Sequence, residues 1–154
     1  MVGKKILLVL LFLGLPFILS ACFNSNIKKV ALNNSPSSFS YNNSDLGFSL
    51  VLPSELQYFI TQTKSQTNIT DLEFLVPTID SRFAQEAPGY AKAFVVRVYN
   101  LNEDYSPDPS FQKIGQTDKK VYAIQFWQTL PRDWVVKWNN DLKIKIINSF
   151  KKSD

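Results

Sequence analysis

The chain has 154 residues and carries 17 Lys and Arg against 13 Asp and Glu, a formal charge of +4, with one cysteine and no histidine. Without histidine or a second thiol it has no Ser-His-Asp or Cys-His triad, no disulfide and none of the usual zinc ligand sets, which leaves carboxylate, Lys, Tyr or Ser-Lys chemistry. No block of like charge marks a nucleic-acid surface, so no DNA or RNA partner is expected.

Residues 1–21 read as a lipoprotein signal peptide. Lys4 and Lys5 supply a basic region, residues 6–19 an apolar run, and Leu19-Ser20-Ala21-Cys22 a lipobox that makes Cys22 the first mature residue. The apolar run falls short of the ~20 residues a spanning helix needs, and Gly14 and Pro16 interrupt it. Its pattern resembles that of bacterial lipoproteins. That resemblance implies diacylglycerol on the Cys22 sulfur and a domain tethered on the extracytoplasmic side of a membrane. Two or three acyl chains give the stable anchoring that one cannot. Phe23 stands where an aspartate would, by analogy, favour inner-membrane retention, so an outer-membrane address is open. With the leader removed, Lys and Arg fall from 17 to 15 against 13 acids, and the charge falls to +2.

Residues 22–38, rich in Asn, Ser and Lys, read as the lipidated N-terminus and a flexible tether, and 39–154 as one domain. Within it, Leu46, Phe48, Leu50 and Leu52 alternate with Gly47, Ser49 and Val51, a strand that Pro53 ends. Residues 56–63 continue as a more polar, edge-type strand, 65–70 carry turn chemistry, and Leu72, Phe74 and Val76 alternate again. Residues 77–90 form a connection with a helical turn around 82–87. Residues 91–99 are the strongest β-former and, being apolar on both faces, a central strand. Residues 100–120, with Pro107, Pro109 and Gly115, are expected to be mostly loop, and 121–127 strand. From Pro131 a helix is expected, Asp133 capping it, with Trp134, Val135, Trp138, Leu142, Ile146 and Phe150 on one stripe that lies across the sheet. Lys143, Lys145, Lys151 and Lys152 fall toward its C-terminal end, where positive charge complements the helix dipole.

Tyr41, Leu46-Gly47-Phe48-Ser49-Leu50 and Leu52-Pro53 near the start, with Ile146-Ile147 and Phe150-Lys151 near the end, resemble the pattern of small PsbP-like lipoproteins of bacteria. The resemblance implies an α+β fold, an antiparallel β-sheet flanked by helices with a C-terminal helix packed on the sheet. It also implies an accessory or binding role without shared catalytic residues. A tryptophan frequent in that family shortly after the Leu-Pro pair is absent here, Leu56 and Tyr58 occupying the region.

Other constellations point to ordinary structure. Glu103, Asp104 and Asp108 share a loop but lack the order of an EF-hand, so they read as a solvated acidic loop with no metal. Trp127, Trp134 and Trp138 could form a platform for a glycan, yet the spacing places Trp134 and Trp138 in the core and leaves Trp127 the most exposed. Arg82, Glu86 and Tyr90 spell no known chemistry, and Asp71 and Glu73 read as surface carboxylates. No cofactor and no catalytic residue is expected. The expected function is that of a non-catalytic accessory or partner-binding module of a membrane complex, with an envelope protein as partner. The alternative is an envelope lipoprotein that captures a small solute or glycan in a concave pocket.

Overall fold

The computed structural model describes residues 37–83, 87–101 and 106–153. Strand β1 (Ser38–Asn43) pairs antiparallel with β2 (Phe48–Pro53), in register from Ser38 opposite Pro53 to Asn43 opposite Phe48. The turn between them closes on Gly47, at φ +76°, whose amide donates to Asn43 O at 2.9 Å while the Asn43 side chain accepts from Leu46 N. A side chain at Gly47 would be strained and would meet the Tyr122 hydroxyl, which donates to the Leu46 and Gly47 carbonyls.

A 3₁₀ turn, Ser54–Leu56, leads to β3 (Ile60–Ser65), β4 (Ile69–Pro77) and β5 (Tyr90–Asn100). Then come β6 (Gln112–Gln116), β7 (Lys120–Phe126), α1 (Asn140–Asn148) and β8 (Lys151–Lys152). Two sheets result, ordered β1-β2-β8 and β3-β4-β5-β7-β6, and every pair is antiparallel. The domain is therefore α+β, mostly sheet, with one α-helix among the described residues.

The core lies on one face of the five-stranded sheet. Phe48, Leu50 and Leu52 of β2 meet Leu72, Phe74 and Val76 of β4, Phe94, Val96 and Val98 of β5, and Tyr122 and Ile124 of β7. Period-two alternation sends these side chains to one side, and removing them from water drives the two layers together. Phe74 stacks on Phe94 with ring centroids 4.3 Å apart and planes 11° apart. Helix α1 packs beside β2, inserting Leu142 and Ile146 into the same core.

One expectation needs refinement and one needs correction. Residues 100–120 are mostly loop among those described, as expected, but a short strand, β6, forms within them on the outer edge of β7. The expected long helix from Pro131 is only a 3₁₀ turn, Arg132–Trp134; α1 starts at Asn140, where the Asn139 side chain accepts from Leu142 N at 2.9 Å. Trp134, Trp138, Leu142 and Ile146 are buried as expected, but Val135 is exposed. Phe150, Lys151 and Lys152 lie past the helix. Phe150 stacks on Phe48, and its ring lies where a Cβ at Gly115 would stand.

Candidate functional site

At one end of the five-stranded sheet β3 and β5 begin while β4 and β7 finish, as the pairs Ile60–Leu75, Pro77–Tyr90 and Phe94–Phe126 require. The loop after β4 and the segment 131–138 are fastened together there. Asp80, 3% exposed, accepts from Arg82 Nη2 at 2.7 Å, Arg82 Nε at 3.0 Å and the Arg132 amide at 3.2 Å. The Thr78 hydroxyl donates to Asp133 Oδ1 at 2.7 Å and accepts from the Asp80 amide at 3.0 Å, while the Ile79 amide donates to Asp133 Oδ2. The Trp134 indole donates to Pro77 O at 2.8 Å.

The Arg82 guanidinium, hydrogen-bonded to Asp80, holds that carboxyl well below the usual carboxylate range against the opposing effect of burial. The buckle is thus charged at neutral pH and its polar groups are mutually satisfied, as buried polar groups must be. Asp133 is committed to this buckle and caps no helix.

The buckle holds out apolar side chains. Ile79 is 91% exposed, Val136 92% and Val135 57%, and Tyr58 and Ile60 stand exposed where β3 begins. These are five of the seven large hydrophobic side chains exposed among the described residues, the others being Val51 and Ile144. Around them lie Arg82 and Arg132, with exposed side chains, and Lys137, whose ammonium sits 5.3 Å from the Trp134 ring centroid. Nothing in the local sequence marks this end, because Ile79 and Val136 lie on segments more than fifty residues apart.

Behind this end the three tryptophans pack together, Trp127 lying 4.9 Å from Trp138 and 5.6 Å from Trp134 between centroids. Trp134 and Trp138 are core, and half-buried Trp127 lines a cleft of about 300 Å³ with Lys92, Gln125 and Gln128.

The other candidates separate. Cys22 and the lipobox residues Leu19, Ser20 and Ala21 lie outside the described residues, as do Glu86, Glu103 and Asp104. Asp108 joins an ion-pair layer on the outer face of the five-stranded sheet, accepting from Arg97 Nη1 at 3.0 Å and from Ser110. The hydrogen bonds from Ser110, with Arg97 alongside, lower its pKa. Arg97 grips Asp71 with two bonds of 2.7 and 2.8 Å and lies 4.1 Å from the Phe111 ring centroid, and the Asp71 bonds raise its pKa. Asp71 and Glu73 are therefore not free surface carboxylates. Glu73 is 3% exposed, with Oε1 3.0 Å from both Lys64 and Lys92. Both belong to the charged layer on the outer sheet face, where Arg97 holds Asp71 and Lys64 and Lys92 hold Glu73. Arg82 serves the buckle, and half-buried Tyr90 bridges Ala87.

Among the described residues no three or more acidic or thiol groups converge to hold a metal, and no helix is long and apolar enough to cross a membrane. No known protein family, curated protein or solved structure matches the chain.

Proposed function

We propose that this chain is a lipid-anchored protein of the cell envelope, held through acyl groups on Cys22, whose PsbP-like domain works as a non-catalytic accessory module of a membrane complex. The observation that carries the reading is the apolar end built from Tyr58, Ile60, Ile79, Val135 and Val136, because small domains seldom group exposed hydrophobic side chains without a protein or membrane surface to cover them. The lipobox supports the anchor, and the α+β sheet architecture is compatible with the resemblance that motivates the PsbP-like assignment.

Crosslinking and mass spectrometry on the protein in its own membranes tests this, with Cys22→Ala as the anchoring control. Acyl mass on Cys22 and one stoichiometric partner, lost in the control, is the expected result. A chain that leaves the membrane fraction unacylated sinks it.

A second reading, capture of a small solute or glycan, draws on the cleft beside Trp127, where an aromatic ring meets Lys92, Gln125 and Gln128. Quenching of tryptophan fluorescence by a panel of saccharides, abolished in Trp127→Ala, would favour it.

A further inference from the structure

We infer that the apolar end docks directly on an anionic lipid surface, with Ile79, Val135 and Val136 entering the headgroup layer. This names the contact made by the end described above and rests on the reading that the domain is tethered at a membrane.

Three observations converge. The first is shape and chemistry. Ile79 and Val136 are more than nine-tenths exposed on two separate segments, which the Asp80 and Asp133 hydrogen bonds clamp together. Protein contact centres are built around Trp, Tyr and Arg anchors seated in packed pockets. Bare aliphatic prongs on a stiff support suit a fluid acyl boundary, which needs no shape match.

The second is the rim. Arg132 and Arg82 keep side chains 82% and 64% exposed even while their groups reach Asp80, and Lys137 is exposed beside them. Long cations around an apolar tip meet lipid phosphates as the tip enters, and exposed Tyr58 is a residue type that settles at the membrane–water boundary. Asp80 and Asp133 are turned inward and committed, so neither opposes that approach.

The third is where the tether leaves. The carbonyl of Ser37 accepts from the Ser54 amide at 3.3 Å, and Tyr58 follows Ser54 by about 14 Å of chain at full extension. Ser37, the first described residue, thus lies on the stretch of the domain that leads to Tyr58. The fifteen residues from Cys22 to Ser37 span at most about 50 Å, which keeps this end within reach of the surface carrying the anchor. A short tether turns the docking step into an intramolecular one with a high effective concentration.

The test uses the full-length protein, made in a lipidating bacterial host and reconstituted into vesicles of phosphatidylcholine alone or with one-third phosphatidylglycerol. An environment-sensitive fluorophore is attached at Val136→Cys or, as a control at the opposite end of the sheet, at exposed Asp118→Cys. The expected result is blue-shifted emission at position 136, quenched by brominated acyl chains and stronger with phosphatidylglycerol, and water-like emission at 118. Ile79→Ser with Val135→Ser, in the Val136→Cys background, is expected to lower the docking equilibrium constant about a hundredfold, since each aliphatic transfer is worth roughly tenfold. Unchanged circular dichroism would show that the variant folds. Water-like emission at 136 on both vesicle types overturns the inference. So does a photoreactive group at 136 that, in native membranes, captures a protein in place of lipid, although the accessory-module reading then stands. The acyl mass on Cys22 is read separately, so failure of the anchor and failure of the docking contact are distinguishable.

Discussion

Trp134 and Trp138 form a matched pair of probes for the strut that holds the apolar end. Both indoles are buried in the same cluster, at 3% and 5% exposure, with ring centroids 6.3 Å apart. Their hydrogen bonding differs: Trp134 Nε1 donates to Pro77 O at 2.8 Å, whereas Trp138 Nε1 is buried and finds no acceptor among the described residues. Replacing either by Phe removes a similar volume, so the packing cost is shared and largely cancels in the comparison. Trp134→Phe also strands the Pro77 carbonyl, which costs about 1–3 kcal/mol, whereas Trp138→Phe removes a donor that was already desolvated without reward.

Trp134→Phe is therefore expected to be the less stable variant by about 2 kcal/mol. With a urea slope of about 2 kcal/mol/M, the two midpoints should differ by about 1 M when unfolding is followed by circular dichroism. Hydrogen exchange adds a local reading. The amides of Ile79 and Asp80, held by Asp133 and Thr78, should exchange faster in Trp134→Phe and not in Trp138→Phe. Equal midpoints, with unchanged protection at Ile79 and Asp80, would refute the view that the indole bond fastens the buckle to the sheet.

Three further predictions concern the frame. Because the folded-state pKa of Asp80 lies below its ordinary 3.8, its contribution to stability is complete above that pH and fades as pH falls toward the folded value; Asp80→Asn should lower stability at neutral pH and flatten the acid limb of a pH titration of the urea midpoint. Gly115→Ala should cost about 1–3 kcal/mol, because the new methyl overlaps the Phe150 ring, and a Phe150→Leu background should recover part of the loss in thermal unfolding. Asn139→Ala should weaken α1 by about 1 kcal/mol through loss of its cap, whereas Asp133→Ala should leave α1 protection intact and loosen the 78–80 loop, a contrast that exchange mass spectrometry resolves.

Where one side of a segment is buried and the other is not, alternation alone placed the strand. Phe48-Leu50-Leu52 and Leu72-Phe74-Val76 both fall in the core as the sequence implies, and the doubly apolar 91–99 run takes the centre of the five-stranded sheet. The burial of Trp134 and Trp138, and the greater exposure of Trp127, were legible for the same reason. Segments whose structure depends on distant partners were not. Gln112–Gln116 has little apolar alternation because it is an edge strand, and β7 supplies the hydrogen bonds that make it one. Pro131 with Asp133 has the local chemistry of a helix start, but Asp133 is drawn across to Thr78 and Ile79, fifty-odd positions away, so the helix waits for Asn139. The same long-range clamp creates the apolar end. Ile79 and Val136 are unremarkable apart, and only the fold brings their segments together, because a hydrogen bond between distant residues leaves no periodic mark in the chain.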